Sequence, residues 1–190
     1  SEINGFITKY SSNNNPLWAA SNILTLNSGA FILGSYTGVA TSSNDNIYIV
    51  GNYTIPTISF NPANGQINYS QPLNIVASGA LNGFWVKYSS NGDVLWAINQ
   101  GGSNNNYNTS ITIDKNENIY IGGYYDSSNI IFNSITNNNT IILLNNAPVG
   151  YNNSYLAKYS SNGDVLWALS QSSSQSYINN ITIDKVGLIY

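Results

Sequence analysis

The sequence predicts an all-β chain built from tandem four-stranded antiparallel units. Three observations predict it: a block of fifteen residues recurs three times, short apolar stretches alternate with period two, and no stretch keeps a helical period.

Residues 5–19 read GFITKYSSNNNPLWA, residues 83–97 GFWVKYSSNGDVLWA, and residues 154–168 SYLAKYSSNGDVLWA. Their anchors Trp18, Trp96 and Trp167 stand 78 and 71 residues apart. A second block follows each Trp: 111–120 (ITIDKNENIY), 181–190 (ITIDKVGLIY) and the looser 39–48 (VATSSNDNIY). The first copy carries extra residues between Ser21 and Tyr36. These blocks delimit three cores, 5–51, 83–122 and 154–190, separated by segments 52–82 and 123–153. Both segments have 31 residues, and equal length marks them as structured parts of the repeat. The organisation expected is repeat 1 over 1–82, repeat 2 over 83–153 and a shorter repeat 3 over 154–190.

Within a core, strands are expected at 84–88 and 94–98 around Ser89-Ser90-Asn91-Gly92-Asp93, because Asn-Gly supplies the positive φ of a tight hairpin. A second pair, 111–113 and 119–121, flanks the polar turn Asp114 to Asn118, giving four antiparallel strands per core. In the intervening segment, 130–133 and 140–144 read as two more strands around Asn137-Asn138-Asn139. Period two puts Val94, Trp96 and Ile98 on one face, so the repeated Trp reads as packing between units rather than as a sugar platform.

Composition bounds the function. The chain has 34 Asn, five Lys and eight acidic residues, and no His, Cys, Met or Arg. Without His or Cys there is no Cys/His zinc site, thiol nucleophile, Ser-His-Asp triad or disulfide framework. A net charge of −3 without Arg gives no phosphate-tracking surface for nucleic acid. No apolar run is long enough to insert in a membrane as a helix. At 42% hydrophobic and 13% aromatic, the chain can bury a core despite its Asn content.

A four-stranded unit in tandem points to blades of a β-propeller. Phe84, Lys87, Tyr88, Gly92, Trp96, Gly101, Gly102, Ile111, Ile113, Asp114, Asn118, Tyr120 and Gly123 together resemble the bacterial beta-propeller repeats called SBBP repeats. Copy one departs at Asn14-Asn15-Pro16 and Ser42, and copy three at Ser172-Ser173. The resemblance implies a propeller on large secreted or surface-exposed proteins, with no common catalytic activity. Three cores leave a partial or open propeller, so the expectation is that the chain belongs to a longer repeat protein or completes its fold by assembly.

The remaining motifs read as turns. Asp114 to Asn118 alternates oxygen side chains like a calcium loop, but Ile119 and Tyr125 occupy the places of the required Gly and Glu. The SSNGDVLW stretch lacks the Gly placement of a sialidase Asp box. Lys9, Lys87 and Lys158 form one set and Lys115 and Lys185 another, both expected to be solvated. Asn-rich stretches such as 104–106 and 137–139 read as tolerant loops. Six N-x-Ser/Thr sequons, at Asn52, Asn68, Asn108, Asn138, Asn152 and Asn180, match chance for this composition.

No catalytic, cofactor-binding or metal-ligating residue is expected. The function expected is a non-catalytic structural or interaction module, exposed on a cell, particle or virion surface and able to self-assemble through sheet edges. Its partners would be further copies of itself, the rest of a longer repeat chain, other surface proteins or glycans. The alternative is a carbohydrate-binding propeller using rim Tyr and Trp.

Overall fold

The hairpin signals fold as their chemistry demands. Gly92 and Gly163 take φ of +86° and +84°, the left-handed region that a glycine enters without a Cβ penalty. In each turn that glycine's N–H returns to the first serine's carbonyl, Gly92 to Ser89 and Gly163 to Ser160. This is a type I turn closed by a left-handed residue. Asn14 holds the same place in copy one at φ 61°.

The computed structural model describes residues 2–3, 5–24, 32–54, 58–63, 81–144, 150–171 and 175–190. The first copy's insertion lies partly outside them, as do Asn68 and Ser172-Ser173. Fourteen strands follow in order: β1 Glu2–Ile3, β2 Phe6–Tyr10, β3 Pro16–Leu24, β4 Ile32–Thr41, β5 Ile47–Tyr53, β6 Ile58–Phe60 and β7 Asn82–Tyr88. Then come β8 Val94–Gly102, β9 Asn106–Ile113, β10 Ile119–Tyr125, β11 Asn129–Asn133, β12 Thr140–Leu144, β13 Asn153–Tyr159 and β14 Val165–Gln171. There is no helix among the described residues. The all-β architecture of antiparallel, blade-like sheets is therefore as expected; a two-residue pairing of β1 with β4 is the parallel exception.

The strands form three sheets, ordered β2-β3-β6, β1-β4-β5-β7-β8-β11-β12 and β14-β13-β10-β9. One expectation is corrected here. The four strands of core 83–122 do not share a sheet: β7 and β8 join β4 and β5, while β9 and β10 join β13 and β14. The reason lies in edge competition. β10 pairs residue for residue with β13 from Ile119↔Tyr159 to Tyr125↔Asn153, and the free edge of β8 is taken by β11. Each of the two larger sheets is thus sewn from two consecutive copies. The intervening segments reach back: β6 extends β3, and the β11–β12 hairpin extends β8, so each adds its strands to the sheet before its own.

The middle sheet is covered on both faces, and β5 and β7 are buried throughout. Phe84, Val86 and Tyr88 point into one core with Ile49, Ile58 and Phe60; Trp85, Val50 and Tyr48 point into the other with Ile121, Phe132 and Tyr159. Alternation along a doubly covered strand sends successive side chains to the two cores.

A bulge recurs after each Asn-Gly turn and its copy-one counterpart. Lys87 faces Trp96 while Tyr88 faces Val94, which leaves Leu95 unpaired; Leu17 and Leu166 are skipped in the same way, and all three are exposed. The extra residue flips the face. Val94 accordingly packs in the first core and Trp96 and Ile98 against the second, so these three do not share a face as alternation alone suggested. Gly123 sits at another bulge, where a Cβ would lie 1.9 Å from the Tyr107 carbonyl oxygen; at Gly51 it would lie 2.2 Å from the Ser35 carbonyl oxygen.

Candidate interaction surface

The repeated motif builds the joint between neighbouring sheets. Lys9 Nζ donates to the Ser90 carbonyl at 3.0 Å, and one repeat on, Lys87 Nζ donates to the Ser161 carbonyl at 3.1 Å. Trp18 Nε1 donates to the same Ser90 oxygen at 3.1 Å. The turn is also held from outside: the N–H groups of Ala63 and Ile135 donate to the carbonyls of Gly92 and Gly163. Nearer the other end of the sheets, Thr37 Oγ1 donates to the Asn108 carbonyl at 2.9 Å, and Thr109 Oγ1 lies within hydrogen-bond distance of both Ile178 O and Gly122 O. The lysine, turn and threonine contacts recur at the same step.

Lys87 corrects the reading of its set as solvated. It is buried in the row Tyr48–Lys87–Trp96 that crosses three strands, its ammonium 5.1 Å from the Tyr48 ring centre. Loss of hydration lowers its pKa, partly offset by the Glu117 carboxylate. Lys158 repeats the row between Tyr120 and Trp167, 5.0 Å from the Tyr120 ring and 3.8 Å from Asp114 Oδ2. A cation over an aromatic face is attracted by the ring quadrupole.

The Asp114 turn is closed by its own carboxylate. Oδ1 accepts the backbone N–H groups of Asn116 and Asn118, both at 2.9 Å; Oδ2 accepts Asn118 Nδ2 at 2.8 Å and the Tyr120 hydroxyl at 3.1 Å. Burial alone would raise its pKa, but these donors hold it below the usual carboxylate value. Asp184 repeats the pattern with Val186, Leu188 and Tyr190. In copy one Ser42 replaces the Asp, and Ser42 Oγ and the buried Tyr48 hydroxyl find no hydrogen-bond partner among the described residues. No group of three or more acidic side chains converges among the described residues.

The Asn-rich stretch 104–106 is not a tolerant loop. Asn105 binds Asp126 through both its backbone and side chain, and Asn106 is fully buried. Asn108 and Asn52 exchange two hydrogen bonds at 2.8 and 3.0 Å, Asn108 Nδ2 donates to the Phe84 carbonyl, and the Tyr155 hydroxyl donates to Asn108 Oδ1. Sequence reasoning missed this network. The signal available was the aligned Asn-Tyr positions flanking the bulge.

Two surface features stand apart. Beside β2 a groove of about 290 Å³ is lined by Phe6, Ile7, Tyr36, Val39 and Ile49, and a second of about 310 Å³ adjoins Lys9, Tyr10, Trp18 and Ile47. Phe6, Tyr10 and Val39 are exposed there, although their counterparts Phe84, Tyr88 and Ile111 are buried. Elsewhere Tyr107 stacks on Tyr124 at 4.5 Å and Tyr124 meets Tyr177 edge-on at 4.8 Å, with Asn152 Nδ2 donating to the exposed Tyr177 hydroxyl.

The chain is 27% identical over 157 residues to an uncharacterized WD repeat-containing protein of Acanthamoeba polyphaga mimivirus. The match covers 83% of this chain but 10% of that protein, so the chain spans about a tenth of its relative's length. No family model matches the chain. The relative and the stacked sheets agree on a β-propeller-type repeat protein.

Proposed function

We propose that the chain is a non-catalytic interaction module: a run of propeller-type blades that presents loops and sheet edges to protein partners. The carrying observation is the recurrence of the lysine, turn and threonine contacts at successive steps, which fix neighbouring blades through packed cores and buried polar contacts. The WD repeat-containing relative supports the same reading. Membership of the SBBP group, the division at 82/83 and 153/154, and exposure on a cell or particle surface are part of the proposal, supported by the repeated motif. Affinity capture with the purified chain, followed by identification of bound proteins, tests it. Reproducible, saturable partners are expected; no protein partner, together with turnover abolished by one side-chain change, would overturn it.

Glycan binding is the second reading, favoured by the Tyr107–Tyr124–Tyr177 cluster and the Asn152 amide beside it. Aromatic faces and amides together suit sugar rings and hydroxyls. A glycan array that shows binding lost in Tyr177→Ala would establish it.

A further inference from the structure

We propose that a second copy of this chain completes the open half-blade at β2, seating its residues 182–190 in the groove between β2 and β4. The inference rests on the interaction-module reading and names its partner.

The occupant follows from internal equivalence. In the other two sheets, the strand equivalent to β2 is paired by an inner hairpin: β7 by β5, and β13 by β10. The edge of β2 away from β3 carries no strand among the described residues. Phe6 is 75% and Tyr10 60% exposed, whereas Phe84, Tyr88 and Tyr159 are fully buried. The missing element is therefore a hairpin of the ITID…IY type.

The chain displays such a hairpin. Ile183 bridges Ile189, and the Thr182 and Tyr190 backbones exchange hydrogen bonds at 3.0 Å. Ile178 and Ile181 pack it against Gly122 on the third sheet, while Leu188 and Tyr190 face outward. Tyr190 is 68% exposed against 5% for Tyr120. The two surfaces are complementary halves of one blade.

The register is specified as well. Ile119↔Tyr159 and Tyr120↔Lys158 become Ile189↔Tyr10 and Tyr190↔Lys9 between copies. Lys9 would then lie over the Tyr190 ring and near Asp184, as Lys158 lies over Tyr120 and near Asp114. Lys9 keeps its bond to Ser90, just as Lys87 bonds Ser161 while covering Tyr48. The contact is heterologous, so it propagates until a rotation closes it. Each chain contributes three sheets.

Sedimentation of the purified full chain tests this against its 20.6 kDa mass. A concentration-dependent dimer, or higher head-to-tail multiples, is expected. Phe6→Asp and Tyr190→Asp, both changes at exposed side chains, should each weaken association roughly ten- to hundred-fold while leaving the monomer's thermal melt in place. The chain has no cysteine, so in a mixture of Tyr10→Cys and Ile189→Cys chains every disulfide joins introduced residues, and mass distinguishes the mixed 10–189 product from like-with-like pairs. A disulfide is expected there and none when Leu144→Cys replaces Ile189→Cys. A monomer at every concentration, association unchanged by both Asp variants, or equal cross-linking in the control would overturn the proposal. A monomeric chain that still captures other proteins would refute this assembly and leave the interaction-module reading standing.

Discussion

Replacing Asp114 with alanine tests the logic of the repeat most directly. The carboxylate accepts four hydrogen bonds, two from backbone N–H groups and two from the Asn118 amide and Tyr120 hydroxyl. Removing it opens the turn between β9 and β10 and leaves the Tyr120 hydroxyl without its acceptor. A lost acceptor costs about 1–3 kcal/mol where donors stay buried. The turn donors can reach water, so the expected loss is about 2–3 kcal/mol, or roughly 5–10 °C in Tm for a chain of this size. Thermal and urea unfolding followed by near-ultraviolet circular dichroism would measure it. Tyr120→Phe should cost about 1 kcal/mol, because it removes a single bond. The pH dependence adds a sign. Asp114 has a folded pKa below its unfolded value, so its contribution is present above about pH 4 and lost as pH falls through the folded value. The acid limb of Asp114→Ala should therefore be shallower than the parent's. Ser42→Asp, which gives Tyr48 the acceptor Tyr120 enjoys, should gain about 1 kcal/mol. A change below about 0.5 kcal/mol in Asp114→Ala, the range of ordinary surface substitutions, would refute the reasoning.

Gly123→Ala should destabilise by about 3 kcal/mol or more, since its Cβ meets backbone at 1.9 Å, whereas Gly101→Ala, whose nearest neighbour is 3.5 Å away, should be close to neutral; urea midpoints decide. Phe84→Ala empties the centre of the first core between Tyr36, Tyr53 and Phe60 and should cost about 3–5 kcal/mol by the same measurement. Stability should be flat from about pH 6 to 9, because no His or Cys titrates there. Above about pH 10 it should fall: burial raises the folded pKa of Tyr88 to about 12 and those of Tyr53 and Tyr155 further, so stability is lost as pH climbs from the unfolded tyrosine value through the folded ones. A late step in phenolate absorbance that coincides with unfolding, beyond the contribution of the exposed tyrosines, would confirm the order.

The strands and turns were legible because each is coded within a few residues. Asn91-Gly92 fixes a hairpin by backbone freedom, and the short apolar runs 130–133 and 140–144 on either side of Asn137-Asn138-Asn139 announce β11 and β12. Partner choice was not legible. β8 and β9 are close neighbours in sequence, yet which edge β8 offers to which strand depends on β11, about thirty residues on. The bulge at Leu95 was also hidden, since one unpaired residue leaves the apolar pattern almost intact while reversing the face of Val94. Lys87 looked like a solvated charge because its acceptor, the Ser161 carbonyl, belongs to the next repeat and has no side-chain signature. Asn106 looked like loop filler for a related reason: an amide buried beside Ser127 is spelled with the same letter as one in water.

The half-step offset between sequence repeat and sheet has a consequence for how such a chain can lengthen. A duplicated stretch of one full period, whatever residue it starts from, donates an outer pair to one blade and an inner pair to the next. Every new seam then reproduces an existing one, so growth is indifferent to the reading phase of the duplication. Loss is not equally forgiving: deleting half a period strands two mismatched halves. An array sewn this way should gain or shed material in whole periods, wherever the breakpoints fall.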